Sequence, residues 1–264
     1  MRLSFPAAAP AIALALVAAV TAPAAAQQPA HRPAARAASK VTVTWLGHAA
    51  FLVTSPGGTQ LLIDPFLKRD PATPDSLKDS SRYHPAAILV THSHFDHTAD
   101  VKPIAAASGA KVIGAYDWAQ TLGLPDTQIV GLNVGGTVKV GDVTVHAVPA
   151  MHGSVPDGRP MGFVLEFADG RTLYDTGDTW IFGDMALIEE LYHPSILLLC
   201  VGGGPYTENP GVAALAVRKY FRPTVIVPMH YGTFPGLASA ADVRAAFKGD
   251  PRLQAMTPGQ TRTF

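Results

Sequence analysis

The chain has 264 residues, 48% of them hydrophobic, with twenty basic side chains balanced by twenty acidic ones. That is enough apolar material for one substantial core in a single domain. The zero formal net charge leaves no electrostatic footprint for nucleic acid and suits a soluble protein acting on a small neutral molecule.

The first residues read as a secretory signal peptide rather than as fold. Arg2 supplies a positive start, an apolar run covers Ala11 to Val20, and Ala24-Ala25-Ala26 offers a small-residue cleavage site before Gln27. The run is too short to span a bilayer comfortably. No cysteine follows the cleavage site and no twin arginine precedes it. The expectation is a periplasmic or secreted protein, cut near Ala26, without a stable membrane anchor. Residues 27–39, rich in Ala and Pro, read as a flexible linker, which leaves residues 40–264 as the folded domain.

From Val41 the pattern changes. Val41 to Trp45 alternates as a strand, Ala50 to Thr54 follows, and Gln60 to Ile63 comes after the Pro56-Gly57-Gly58 turn. This meander predicts a mostly antiparallel sheet. Ala86 to Val90 is a short buried strand, and Thr98 to Ser108 reads as a helix closed by Gly109. In the second half, Val138–Val140, Val143–Val148, Gly162–Phe167 and Arg171–Tyr174 read as strands, with turns at Gly141-Asp142 and Asp169-Gly170. Asp184, Asn209-Pro210 and Ser239 open helices, and Thr224 to Val227 is a further strand. Each half places strands before helices, the order of two packed sheets with helices outside. The single cysteine, Cys200, lies in the apolar run Ile196 to Val201 and reads as a packed thiol.

The chemistry concentrates in Thr91-His92-Ser93-His94-Phe95-Asp96-His97, at the end of a strand and the start of a helix. In extended chain, residues i and i+2 point the same way, so His92 and His94 can reach one ion together. Asp96 and His97 face a second point as the chain turns. Imidazole nitrogen and carboxylate oxygen are zinc ligands, and manganese or iron accepts the same set. His152 and His230 each follow a predicted strand; the pattern alone leaves their roles open. His84, His146 and His193 sit in surface-like contexts. Asp175 and Asp178 are both candidates for a carboxylate shared by two ions.

These residues resemble the metallo-β-lactamase superfamily, whose most specific motif is the H-x-H-x-D-H run. The closer likeness is to its metal-dependent hydrolase branch, which includes the ascorbate-phosphate lactonase type. It rests on Thr44-Trp45-Leu46-Gly47-His48, Leu62-Ile63-Asp64-Pro65-Phe66, Gly177-Asp178-Thr179 and Pro228-Met229-His230-Tyr231-Gly232. The resemblance implies an α+β fold, a four-layer αββα sandwich. It implies one ion on His92, His94 and His152, a second on Asp96, His97 and His230, and Asp178 between them. Asp64 and His48 are candidates to support the ligating residues from behind, Asp64 by taking the other N–H of a ligating histidine; His48 is alternatively a candidate to contact substrate or protonate a leaving group. Tyr206 and Tyr231 are candidates either to line the pocket or to pack. Cys200-Val201-Gly202-Gly203 stands where members often carry Pro-Ile-Gly-Gly, and Glu208-Asn209-Pro210 where Met-Gly-Pro is usual.

The expected activity is hydrolysis of a small-molecule ester, lactone or amide by a hydroxide shared between two divalent ions, with Asp96 orienting it. A phosphodiesterase on the same ions and a non-catalytic metal-binding protein are the alternatives.

Overall fold

A computed structural model describes residues 40–264; the leader and linker expected over residues 1–39 lie outside the described residues. One seven-stranded sheet contains Thr42–Gly47 (β1), Ala50–Thr54 (β2), Gln60–Ile63 (β3), Ala87–Leu89 (β4), Lys111–Ala115 (β5) and Ile129–Leu132 (β6) in that order, with Thr261–Thr263 (β13) beside β1. The second, of six strands, contains Thr137–Val140 (β7), Val143–Pro149 (β8), Met161–Phe167 (β9), Thr172–Asp175 (β10), Ile196–Cys200 (β11) and Val225–Met229 (β12), again in chain order. The helices are Phe95–Thr98 (α1), Val101–Ser108 (α2), Tyr116–Ala119 (α3), Met185–Tyr192 (α4), Pro210–Tyr220 (α5) and Ala240–Ala246 (α6). Buried apolar side chains from both sheets, among them Phe51, Ile88, Phe163 and Leu197, form one continuous core. The architecture is the αββα sandwich.

Two local expectations are corrected. The sheets are mixed rather than mostly antiparallel: β3 to β6 run parallel, as do β10 to β12, while β1–β3 and β7–β10 are antiparallel. Helices α4 and α5 supply the crossovers that parallel pairing of β10 to β12 requires, and all five side chains of β11 are buried, as covering on both faces demands. The helix expected over Thr98 to Ser108 is two short helices. Asp100 turns its carboxylate to the backbone N–H groups of Leu67 and Lys68 (2.7 and 3.0 Å), and this long-range bond interrupts the run between α1 and α2. Gly109, Asn209 and Ser239 behave as the sequence indicates. Gly109 ends α2 in the left-handed conformation, Asn209 accepts from the Val212 N–H, and Ser239 forms a reciprocal capping box with Asp242.

The consequence for function lies in where the strands stop. The loops after β1, β3, β4, β8, β10 and β12 carry His48, Asp64, the His92–His97 run, His152, Asp178 and His230 respectively.

Candidate metal centre

His92, His94 and His152 present ring nitrogens that all lie within 4.8 Å of one another. His92 Nε2 is 2.9 Å from His94 Nδ1, and His152 Nε2 is 3.3 Å from the same atom. Nitrogens about 2.0–2.1 Å from a tetrahedral ion stand about 3.3 Å apart, so this spacing fits ligands around one centre. Asp96, His97 and His230 form a second group, joined by His48. Asp178 lies between the two: its Oδ2 is 3.6 Å from His152, 3.5 Å from His97 and 2.9 Å from His230. All seven expected ligands therefore converge.

The local backbone is held to make this possible. His48, Asp64 and His230 have positive φ values of 45°, 43° and 66°, a conformation costing non-glycine residues roughly 1–2 kcal/mol each. The His230 N–H donates to His48 O at 3.0 Å, which ties the loop after β12 to the loop after β1. Gly177 (φ 57°) turns β10 into Asp178, where a Cβ would stand 2.8 Å from Met161 O and 3.0 Å from Thr91. Asp175 supports that turn by accepting from the Gly177 N–H at 2.9 Å. Asp64 accepts from Thr91 N–H (2.8 Å) and Thr91 Oγ1 (2.6 Å), and its Oδ2 is 2.7 Å from His97 Nδ1. His97 is thereby fixed with Nε2 turned toward Asp178.

Electrostatics marks the site as short of positive charge. Burial opposes ionisation of Asp178, yet His230 and His97 hold its carboxyl well below the usual carboxylate range. Burial likewise opposes charge on His97, but Asp178 and Asp64 raise it well above the ordinary imidazole value. Burial lowers His92 and His152, and burial together with His230 lowers His48 to about 4. Neutral imidazoles are the form that binds metal. His97 Nε2 and His230 Nε2 are buried and lack a hydrogen-bond partner, although such atoms are rarely left unsatisfied. A divalent cation would satisfy both, so the residues present fit the group.

The structure also places the residues whose roles the sequence left open. His48 is fully buried and is not among the residues lining the cavity over the site. Its Nε2 meets Asp96 Oδ2 at 3.1 Å and its ring lies 3.9 Å from that of His230, so it sits behind Asp96 rather than facing the cavity. Tyr231 is packed, its ring stacked 5.3 Å from Trp45, whereas Tyr206 lines the cavity. His84 and His193 are exposed, and His146 pairs with Glu166 at 3.2 Å. Sequence reasoning missed the surroundings of Cys200: its Sγ is 3.6 Å from Asp178 Oδ1. It also missed Gly202, where a Cβ would stand 2.6 Å from His230 Nδ1. The signal for both was the strand end at Cys200 followed by glycine. A cavity of about 350 Å³ opens over the site, and its floor is formed by His94, Asp96, His152, Asp178 and His230.

Comparison with known proteins bears on this geometry. Residues 42–230 match the family model described as the beta-lactamase superfamily domain. The chain belongs to that superfamily. Within it the relatives are metal-dependent hydrolases. A UPF0173 metal-dependent hydrolase of Anaeromyxobacter sp. (strain K) is 42% identical over 243 residues, covering 85% of this chain and 87% of the relative. One from Pyrobaculum islandicum is 40% identical over 226 residues, covering 83% and 98%. Among solved structures, Igni18, a metallo hydrolase from Ignicoccus hospitalis KIN4/I, superposes with a TM-score of 0.76 at 34% identity, covering 85% of this chain and 98% of that one. The present chain is thus a metal-dependent hydrolase of this superfamily, and the superfamily's fold is the one described above.

Proposed function

We propose that this hydrolase cleaves the ester, lactone or amide bond of a small uncharged molecule at a dinuclear centre, most simply of two zinc ions. His92, His94 and His152 would hold one ion, Asp96, His97 and His230 the other, with Asp178 placed to serve both. The observation that carries the reading is the position of Asp178 Oδ2, within 3.6 Å of a nitrogen from each set. Bound divalent ions supply a water acidified to near neutral pH and stabilisation of the charge that develops on the carbonyl oxygen.

The chain's own residues do the rest. Asp96, on the cavity floor, accepts a hydrogen bond from the attacking water and orients it. Burial would raise the Asp96 carboxyl, but the His48 hydrogen bond and the neighbouring His97 charge hold it below the usual carboxylate range. It therefore orients the water rather than storing its proton. His48 donates Nε2–H to Asp96 from behind and keeps its rotamer fixed. Cys200 S–H reaches Asp178 Oδ1, which leaves Oδ2 facing the histidines.

Among the described residues no lysine or arginine lines the cavity, which favours a neutral carbonyl substrate over a phosphodiester, whose charge calls for such partners. An open floor favours catalysis over metal storage. We place the mature protein outside the cytoplasm on the leader-like residues 1–26. The test is metal analysis of the purified chain together with ester hydrolysis before and after chelation. Two ions per chain, loss of activity on chelation and return with zinc are expected. Full activity in an Asp96→Ala, His97→Ala double variant would refute the assignment.

A further inference from the structure

The cavity over the metal centre has a second, unassigned wall. Phe95, Tyr206, Phe234 and Leu237 stand above the histidine and aspartate floor. Phe95 and Tyr206 are 56% and 58% exposed. Aromatic area left in water at a cavity mouth marks a ligand surface. The rings are ordered by their neighbours. Phe66, buried beneath them, meets Phe95 edge-on at 5.7 Å and 87°, and lies 6.1 Å from Phe234. Phe95 and Phe234 are 6.5 Å apart, and Phe234 meets His48 at 5.4 Å and 68°. The aromatic wall therefore runs from the mouth down to the Asp96, His230 and His48 side of the centre. Arg69 lies over the Phe95 ring at 5.9 Å but does not line the cavity.

Three features narrow the occupant. Phe95 and Phe234 already pair with neighbouring rings at the tilts and separations of aromatic contacts, and the exposed area of Phe95 and Tyr206 can take a further ring edge-on or offset in the same way. The lining offers no cation for an anionic tail. A volume of about 350 Å³ equals roughly a dozen waters at about 30 Å³ each, enough for one small molecule and too little for a polymer. We infer that the enzyme selects uncharged esters, lactones or amides carrying an aryl group, which seats against Phe95, Tyr206 and Phe234 while the carbonyl lies over the floor. Water adds to the carbonyl carbon, the acyl–oxygen or acyl–nitrogen bond breaks, and the alcohol or amine takes one proton of that water, departing from an ester or amide and staying tethered in the hydroxy acid that a lactone gives. This inference rests on the hydrolase reading above and adds the substrate class to it.

The test compares zinc-loaded full-length protein on ethyl phenylacetate, ethyl butanoate and monoethyl succinate by pH-stat. Their leaving group is the same and their acyl groups are aromatic, aliphatic and anionic. The expected kcat/KM falls in that order, with the aryl ester ahead of the aliphatic one by on the order of tenfold, the scale of discrimination by apolar pocket contacts. Phe234→Ala and Tyr206→Ala should each bring that ratio toward one, mainly through KM. Equal rates on the three esters, or preference for the succinate, would overturn the aryl assignment and leave the hydrolase reading intact. Absence of hydrolysis of all three esters by protein carrying two ions would count against the proposed ester cleavage instead. In that event saturation-transfer NMR with N-benzylacetamide against N-butylacetamide decides the pocket's preference without turnover. Stronger, Phe234-dependent contact with the benzyl amide supports the inference, and equal contact refutes it.

Discussion

Glu208 is the most exacting test of the physical picture. It stands at the junction between the cavity-lining loop and α5. Its side chain is fully buried and neither carboxylate oxygen makes a well-aligned hydrogen bond, the backbone N–H of Ile181 being the polar group that acts on it. Burial pushes its pKa from 4.5 up to about 8, with the Ile181 N–H opposing the shift. At neutral pH Glu208 is therefore protonated in the folded chain and ionised in the unfolded one. The sign follows. Its folded pKa is raised, so its contribution to stability is fully present below pH 4.5 and is lost as pH rises to about 8. At about 1.4 kcal/mol per pH unit, the loss across that window is on the order of 4–5 kcal/mol. Glu208→Gln keeps the shape and removes the titration. Urea denaturation of both proteins from pH 4 to pH 9, at fixed metal occupancy, should show nearly equal stability at pH 4. The variant should then draw ahead by several kcal/mol at pH 9. Parallel stability curves would show that Glu208 is solvated or paired in the folded state and would refute the argument.

The other predictions concern the site and its supports. Asp64→Ala strips partners from Thr91 and from His97 Nδ1; metal affinity, read by competition with a chromogenic chelator, should fall about 10- to 100-fold. Gly202→Ala drives a methyl toward His230 Nδ1 and Thr207 Oγ1. It should cost about 1–3 kcal/mol and lower the metal content per chain, while Gly183→Ala, where a Cβ meets nothing within 4 Å, should leave that content intact. Ser239→Ala removes the capping box of α6 and should lower stability by about 1 kcal/mol, a shift of about 2–4 °C in Tm for a chain of this size, without changing metal binding.

Much of the site could be read locally because short-range chemistry constrains it. Two histidines one residue apart at a strand end point the same way whatever the fold around them, and the following Asp96 and His97 turn with the start of α1. Asn209-Pro210 and Ser239 to Asp242 announced helix starts because their capping bonds close within three residues. The expectation of one helix from Thr98 to Ser108 failed because the competing bond, from Asp100 to Leu67 and Lys68, spans more than thirty positions. The antiparallel expectation failed for a similar reason: strand direction depends on crossovers, and adjacent strands in sequence carry no record of it. The choice between the two readings of His48 lay beyond the sequence too, since only the packing of β1 against the loop after β12 sets its ring beside Asp96 and His230.

The amino-acid sequence alone determined the ligand chemistry and the alternation that builds two sheets, because each depends on residue type and on neighbours a few positions away. Only the tertiary structure decided that β4, β8, β10 and β12 end at one edge of the sandwich. There Asp178 falls between the two histidine sets, and an aromatic wall faces them. The reason is physical: such distances are fixed by sheet order and loop-to-loop hydrogen bonds between segments far apart in sequence, and no local pattern encodes them.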